Sequence, residues 1–401
     1  MRVYRELQAA GLGVELVAAV EPNPARAAET ATKYEIPVFS TVDQLLAAPL
    51  SLDAATVAVP TVHHHQVAGH LLDAGLDLLV EKPLAATLAE ADDLIARAEK
   101  GKRILQPGHL ERFNPAVLAV EPMLTRPMFF EAHRLSVFTP RALDVDVVLD
   151  LMIHDLDVVL TFANSEVREV RAVGLPILSP KVDIANVRVE FESGCVANFT
   201  ASRVSTERVR KLRFFEPRQY VSIDYARQDL LTIRIDQDAS KQDSPAAQAP
   251  GINMAGLMAL AGSLGPGLLA SLPPELISGF RAGMASGKFD PALLTQLAAT
   301  GKVEPAVLAK VGALLGIATA NNEPPKDGPA PGLSFVKPEV TPGEPLKLEI
   351  SSFLDSVRTR RAPRVTARQG RNALALALEI QATMAAHAER AGLSDFFAPG
   401  L

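Results

Sequence analysis

The chain has 401 residues and 48% of them are apolar, so it is long enough for two or more domains with sizeable cores. The net charge of −6 argues against a nucleic-acid-binding protein, and the single cysteine, Cys195, excludes an internal disulfide. The first residues are too polar for a secretory signal, so we expect a cytoplasmic protein.

Strands and helices alternate through the first 107 residues. The predicted elements are a helix over 2–9, a strand over Val14–Val20, a helix over 24–33, a strand at Val38–Phe39, a helix over 41–48, a strand over Asp53–Val59, a helix over 64–74, a strand over 76–80, a helix over 87–100 and a strand over 103–106. Asn23, Thr41 and Thr87 are predicted helix caps. This alternation predicts a parallel α/β sheet over residues 1–107.

The pattern changes after Pro107. A short helix is predicted at Asn114-Pro115, a strand near 128–137, a helix over 145–162, and successive strands over 167–173, 185–192, 196–203, 209–215 and 219–225. Over 185–192 apolar and charged residues alternate, which is typical of a sheet with one solvated face. Residues 108–236 are therefore predicted to form a second α/β domain with a mostly antiparallel open sheet.

Residues 237–331 differ from both neighbours because they are rich in Ala, Gly, Leu and Pro. We predict a helical insertion there, followed by a return segment over 332–401 whose helices pack back on the core. Within the insertion, Ile252–Leu272 carries no charge and matches the length of about 20 apolar residues that cross a bilayer. Asn253, Pro266 and several glycines interrupt it and no basic residues flank it closely, so we predict no membrane partner.

The apolar run Leu78–Val80 ends abruptly in Glu81-Lys82-Pro83, and a capping box at Thr87 opens the next helix. Lys82 is therefore expected at the carboxyl end of a buried parallel strand. Ligands bind along that edge in open α/β sheets. The alternative is an ordinary surface ion pair in a strand–helix turn.

Asp150 and His154 stand four residues apart on one predicted helix, so they are expected to project from the same face. A carboxylate beside an imidazole fixes its tautomer and raises its basicity. Together with Lys82, this pair would supply a proton acceptor, an orienting group and a cation. The alternative is an i,i+4 pair without a catalytic role.

Two further strand ends carry candidate binding groups. Glu21 follows the predicted strand over Val14–Val20, which would correspond to the second strand of a dinucleotide fold. An acidic residue at the end of that strand binds the adenosine ribose and favours NAD. The alternative for Glu21 is a carboxylate that stabilises a helix start. The run His63–His65 follows another strand end, but consecutive helical side chains point in different directions, so we predict no metal site.

Polar residues are also concentrated at the junction of the two predicted domains. The segment over 108–115 would form a wall of the substrate cleft, and the alternative is a polar linker with a helix cap. Its candidate substrate-binding residues are His109, Glu111, Arg112 and Asn114.

Taken together, these motifs resemble the Gfo/Idh/MocA family of NAD(P)-dependent sugar and polyol oxidoreductases. The resemblance rests on Glu81-Lys82-Pro83, on Pro60-Thr61 with His64, and on the segment over 150–155 that contains Asp150 and His154. It covers residues 1–225 and resumes over 335–390. The segment over 109–117 looks most like bacterial UDP-sugar 3-dehydrogenases, such as those that act on UDP-N-acetylglucosamine.

The resemblance implies hydride transfer between a sugar hydroxyl carbon and a nicotinamide. The resemblance implies that Lys82 polarises the reacting oxygen, that His154 is the general base, and that Asp150 orients the base or the substrate. The alternative is that Lys82 is the base. The implied cofactor is NAD, with NADP as the alternative, and a homodimer or homotetramer is expected. The residues expected to bind the cofactor are Glu21, Pro60, Thr61, His64, Glu81 and Lys82.

One departure from the family pattern concerns the start of the chain. The family begins with a strand and a Gly-x-Gly-x-x-Gly turn, whereas Met1 already lies in the helix that should follow that turn. We therefore expect an N-terminally incomplete Rossmann domain, in which the strands over Val14–Val20 and Asp53–Val59 lose their shared neighbour. Our hypothesis is a truncated reading of a longer enzyme, which an in-frame strand and glycine turn upstream of Met1 would support. The alternative is a non-catalytic relative acting as a sugar-binding or subunit-interaction module.

Overall fold

The computed structural model describes residues 1–139, 145–235, 333–393 and 396. The chain divides into a unit formed by Met1–Ile235 with Phe335–Leu401 and a second unit over Asp236–Ser334. The predicted insertion over 237–331, including Ile252–Leu272, lies outside the described residues. Within the described ranges, no helix has the length and apolar character that a bilayer crossing requires.

The N-terminal part alternates strands and helices as predicted. Its elements are α1 (Arg2–Ala9), β1 (Ala19–Val20), α2 (Pro24–Tyr34), β2 (Val38–Phe39), α3 (Val42–Ala47), β3 (Ala54–Val57), α4 (His64–Asp73), β4 (Asp77–Glu81), α5 (Leu88–Gly101) and β5 (Leu105–Gly108). The predicted caps are confirmed, because Asn23, Thr41 and Thr87 each accept a backbone N–H with the side chain. Thr87 and Glu90 complete a reciprocal capping box, which satisfies two backbone donors at the start of α5.

The parallel strands of this part form two separate sheets. β1 pairs with β2, and β3, β4 and β5 form a three-stranded sheet in that order. The sequence leads us to expect that the first and third strands lack a shared neighbour, and the structure places them in different sheets. The predicted strand over Val14–Val20 is too long, because only Ala19–Val20 pairs. None of the side chains over Val14–Val20 is fully buried.

The second part is built on one mixed sheet. Its elements are α6 (Pro115–Val120), β6 (Phe129–Val137), a π-helical turn (Val148–Met152), α7 (Ile153–Ala163), β7 (Val167–Leu175), β8 (Ile184–Phe191), β9 (Val196–Ser205), β10 (Val209–Glu216), β11 (Gln219–Asp224), β12 (Asp229–Ile235) and β13 (Leu333–Val336). The strand order is β13-β12-β11-β10-β6-β9-β8-β7. From β12 to β7 the strands pair antiparallel, except that β6 and β9 are parallel. This architecture confirms the predicted fold class. β12 was not predicted, although it pairs with β11 in a hairpin.

One face of this sheet is dry. On β8 the side chains of Ala185, Val187, Val189 and Phe191 are at most 1% exposed, and the intervening residues face outward or are half-buried. Helix α7 and the C-terminal helix α9 (Ala367–Arg390) pack on the dry face. The preceding helix α8 (Pro345–Thr359) packs Ile350 and Phe353 against α1. The return segment therefore helps to bury the side of β4 that leads to Lys82.

Candidate active site

Lys82 lies at the carboxyl end of β4, as predicted. The strand before it is buried, with Leu78, Leu79 and Val80 at most 3% exposed, and the peptide bond to Pro83 is cis. The ammonium leaves this edge and donates to the backbone carbonyl of Asp150 at 2.7 Å and to that of Leu149 at 3.4 Å. A carboxylate oxygen of Asp150 lies 4.0 Å from Nζ. The structure therefore brings together two motifs that are 68 residues apart.

The environment of Lys82 lowers its pKa. Burial is the main cause, since only 19% of the side chain is exposed. The charges of Asp150 and Glu81 oppose this effect, and that of Arg134 adds to it. An ammonium held this way donates hydrogen bonds and gives up a proton more readily than a surface lysine.

Asp150 and His154 do not share one regular α-helix. Asp150 lies in the π-helical turn, and His154 follows in α7. Such a turn is wider than an α-helix and is often found at functional sites. Met152 and Ile153 are buried and anchor the segment in the core, while the Asp150 side chain is 32% exposed. The wide turn thus presents carbonyls to Lys82 and a carboxylate to the space beside it.

The imidazole of His154 is half-buried, and its Nδ1 makes no hydrogen bond within the described residues. Burial lowers the pKa of His154 well below its ordinary value, and the charges of Lys82 and Arg134 lower it further. The ring is therefore a neutral base at neutral pH. A base, a hydrogen-bonding cation and a carboxylate are the groups needed to take a proton from a hydroxyl.

A buried ion network lies below this site. Arg134 on β6 donates to both carboxylate oxygens of Asp155, at 2.7 and 3.0 Å, and to Glu111 at 2.9 Å. Its guanidinium also lies 5.1 Å from the ring centroid of Tyr225. Burial raises the pKa of Asp155, and the charge of Arg134 opposes this effect. The network connects β6 to α7 next to His154 and to the segment after β5.

Sequence reasoning did not single out Arg134. The sequence does contain a signal for this residue, because Phe130, Ala132 and Arg134 occupy alternate positions of one strand and therefore share a face. In the structure all three are buried. An arginine at an inward position of an apolar alternation needs buried carboxylates as partners.

The residues predicted to line the substrate cleft are buried at the domain junction. His109, Glu111, Arg112 and Asn114 are between 1% and 7% exposed. Asn114 caps α6 and donates to Glu111 at 3.2 Å. Nδ1 of His109 lies 3.9 Å from a carboxylate oxygen of Asp157, and burial lowers the pKa of His109. The structure thus places these side chains around the base of α7, and their contact with substrate remains a prediction.

The predicted cofactor residues lie at the carboxyl ends of β1, β3 and β4. Glu21 is half-buried and accepts the backbone N–H of Asn23 at 2.9 Å. Pro60 is exposed and Thr61 is half-buried. Glu81 is half-buried beside Lys82. His64, in contrast, is 1% exposed and directs both ring nitrogens at backbone carbonyls.

This edge carries a neutral imidazole, an ammonium and a partly exposed carboxylate, which suit a polar ligand. The strand ends provide the sheet edge at which dinucleotides bind. In the described part of the chain, no three His, Cys, Asp or Glu side chains are grouped so that they could hold a metal ion.

Comparison with known proteins identifies the family of this chain. The family model described as the NAD-binding Rossmann fold of the Gfo/Idh/MocA oxidoreductases matches residues 2–109, and the model of the Gfo/Idh/MocA C-terminal domain matches residues 119–218. This chain belongs to the Gfo/Idh/MocA oxidoreductase family, whose named members include dehydrogenases acting on CH–OH groups.

Two dehydrogenases of known name are similar to this chain in sequence. UDP-N-acetylglucosamine 3-dehydrogenase of Acidithiobacillus ferrooxidans is 39% identical over 212 residues, which is 53% of this chain and 67% of that enzyme. The solved structure of that enzyme, GnnA, superposes with a TM-score of 0.68 at 27% identity, over 96% of this chain and 94% of GnnA. Inositol 2-dehydrogenase of Acidothermus cellulolyticus is 30% identical over 178 residues, which is 42% of this chain and 52% of that enzyme.

Proposed function

We propose that this protein oxidises a hydroxyl group of a nucleotide sugar, with NAD as the hydride acceptor. The observation that carries the proposal is the hydrogen bond from Lys82 to the Asp150 segment, which adjoins the neutral imidazole of His154. The similarity to a UDP-N-acetylglucosamine 3-dehydrogenase supports the choice of a nucleotide sugar.

Oxidation of a sugar hydroxyl removes one hydride and one proton, and each residue of the site has a separate role. When bound, the nicotinamide accepts the hydride from the sugar carbon. Lys82 donates a hydrogen bond to the sugar oxygen and stabilises its negative charge as the proton leaves. The neutral imidazole of His154 accepts that proton, and Asp150 orients the hydroxyl or the ring. The sugar leaves as a ketone, with one hydride on the cofactor and one proton on the imidazole.

The preference for NAD follows from the position of Glu21. A carboxylate at the end of this strand would accept hydrogen bonds from the ribose hydroxyls, and it would repel the 2′-phosphate of NADP. Pro60, Thr61, His64 and Glu81 would border the nicotinamide half. Replacing Glu21 with Ser should therefore weaken NAD binding and improve NADP binding relative to it, as measured by thermal shift.

We also propose that the protein is a cytoplasmic homodimer or homotetramer that assembles through the outer face of its large sheet. Val173, Leu175, Phe215 and Leu231 are each 36–37% exposed, which leaves apolar area for a second copy. Light scattering after size exclusion would measure the mass, and a monomer at micromolar concentration would contradict this proposal.

A second candidate function is a non-catalytic module that binds a sugar or another subunit. The observation that favours it is the separation of the β1–β2 sheet from the β3–β5 sheet, since a dinucleotide binds across a continuous sheet. Such a module would bind UDP-sugars without binding NAD or NADP.

One experiment separates the two candidates. NAD, NADP and UDP-sugars are tested by thermal shift on this chain and on an upstream-extended chain, and reduced nicotinamide formation is followed at 340 nm. Lys82→Met should abolish turnover. Lys337→Met should not, because the side chain of Lys337 is 68% exposed and directly follows the edge strand β13. Sugar binding without any dinucleotide binding in either chain would favour the non-catalytic module.

A further inference from the structure

His64 differs from its two neighbours in the histidine run. His63 is exposed and His65 is half-buried, whereas His64 is 1% exposed. Nδ1 of His64 lies 2.9 Å from the carbonyl oxygen of Pro83, and Nε2 lies 2.9 Å from that of Val59. The ring therefore connects the segment after β3 to the segment after β4.

The direction of these hydrogen bonds is fixed by their partners. A carbonyl oxygen only accepts, so a ring nitrogen bonds to it only when that nitrogen carries the hydrogen, and a neutral ring makes one of the two bonds at a time. Pro83 has no N–H, so its carbonyl is the only backbone group through which this residue can be held. Leu84 and Ala85, which follow it, are fully buried. The Nδ1 bond thus holds the backbone immediately after Lys82.

Lys82 needs such support because its contacts are made at the end of a long side chain. Its Nζ must reach the carbonyl of Asp150 at 2.7 Å from a loop rather than from the strand itself. The ladder of β4 holds the backbone before Lys82, through the pairing of Glu81 with Gly108. The imidazole of His64 holds the backbone after it.

We propose that His64 is a positioning residue for Lys82, which it places against Asp150 through the Nδ1–H bond to the Pro83 carbonyl. Its consequence for turnover rests on the proposed dehydrogenase function. Its consequence for the environment of Lys82 does not, and that consequence can be measured without any substrate.

The test compares two isosteric variants. In His64→Asn the amide nitrogen can take the place of Nδ1 and keep the bond to Pro83, whereas in His64→Gln it can take the place of Nε2 and keep only the bond to Val59. The rate of acetylation of Lys82 by acetic anhydride is measured against pH by mass spectrometry, because only the unprotonated amine reacts. The exposed Lys100 in the same sample is the internal control.

The proposal expects the wild type and His64→Asn to share a midpoint below the ordinary lysine value of 10.5. In His64→Gln the loop is released and Lys82 becomes solvated, so the midpoint should rise towards 10.5 while the labelling of Lys100 does not change. With an active enzyme, kcat should fall further in His64→Gln than in His64→Asn. Equal midpoints in all three proteins, or equal shifts in both variants, would overturn the proposal.

If His64→Gln does not fold, a measurement on the wild-type imidazole tests whether Nδ1 of His64 donates to Pro83. The ¹⁵N chemical shift of Nδ1, assigned through the signal that is lost in His64→Asn, reports whether this nitrogen is protonated. A protonated Nδ1 supports the bond to Pro83, and a bare Nδ1 overturns it. Absence of turnover in the wild type with every UDP-sugar would remove the dehydrogenase proposal and leave the labelling result valid.

Discussion

Replacing Arg134 with Met tests the idea that the network below the active site is held by one buried cation. Three charge-assisted hydrogen bonds of 2.7, 3.0 and 2.9 Å would be lost, and their acceptors, Asp155 and Glu111, are 2% and 7% exposed. Removing one partner of a buried ion pair leaves uncompensated charge, which costs about 3–5 kcal/mol of the free energy of unfolding. Two carboxylates lose their partner here, so we expect the upper part of that range.

Urea unfolding followed by circular dichroism measures this loss, as a lower midpoint at an unchanged slope. Arg171→Met is the matched control, because Arg171 makes a 2.7 Å ion pair with Glu169 while being 72% exposed, and the urea midpoint of this variant should not change.

The loss of stability in Arg134→Met should also depend on pH. Without Arg134 the pKa of Asp155 rises further, so the native state keeps a proton that the unfolded chain releases, and stability falls as pH rises. Equal midpoints for the two variants, or a loss that is the same at pH 5 and at pH 8, would refute this reasoning.

Three further predictions concern the site and its surroundings. His154→Asn should lower kcat by about 10²–10⁴-fold with little change in the melting temperature, and a loss below tenfold in the 340 nm assay would exclude His154 as the base. The pH profile of kcat/KM should rise with the deprotonation of His154, below the ordinary histidine range, and fall with that of Lys82, below 10.5; an acid limb above 7 would contradict the lowered pKa of His154. Glu349 is 1% exposed, and burial raises its pKa to about 8, so the folded state keeps a proton that the unfolded chain loses above pH 4–5. Glu349→Gln should therefore melt above the wild type at pH 9 and at the same temperature at pH 4, and an equal difference at both values would contradict this account.

Several features of the fold could be predicted because they depend on neighbouring residues. Asn23 and Thr87 cap helices through bonds that reach only two or three residues ahead, and the alternation along β8 reports its two faces directly. The strand over Val14–Val20 was predicted too long, because an apolar run shows a preference for a buried strand and not the presence of a partner. A strand forms only where a neighbouring backbone supplies its hydrogen bonds.

In the candidate site, too, features set by neighbouring residues could be predicted and features set by distant residues could not. The spacing of Asp150 and His154 suggested a shared helical face, but a π-helical turn intervenes, and its wider geometry directs carbonyls at Lys82. Polar residues after β5 were recognisable as a functional or linking segment. That Arg112 and Asn114 are buried could not be predicted, since burial depends on helices from the far end of the chain.

Local periodicity and short motifs were enough to predict most strands and helices, the family and the residues able to carry acid–base chemistry. Three contacts could be seen only in the folded chain: Lys82 meets the carbonyl of Asp150, His64 lies between two carbonyls, and Arg134 neutralises carboxylates beside His154. These contacts join residues that lie between 5 and 68 positions apart, in different strands, helices and loops of the fold. Their energies depend on burial and on the loss of water around charges, which no single segment encodes.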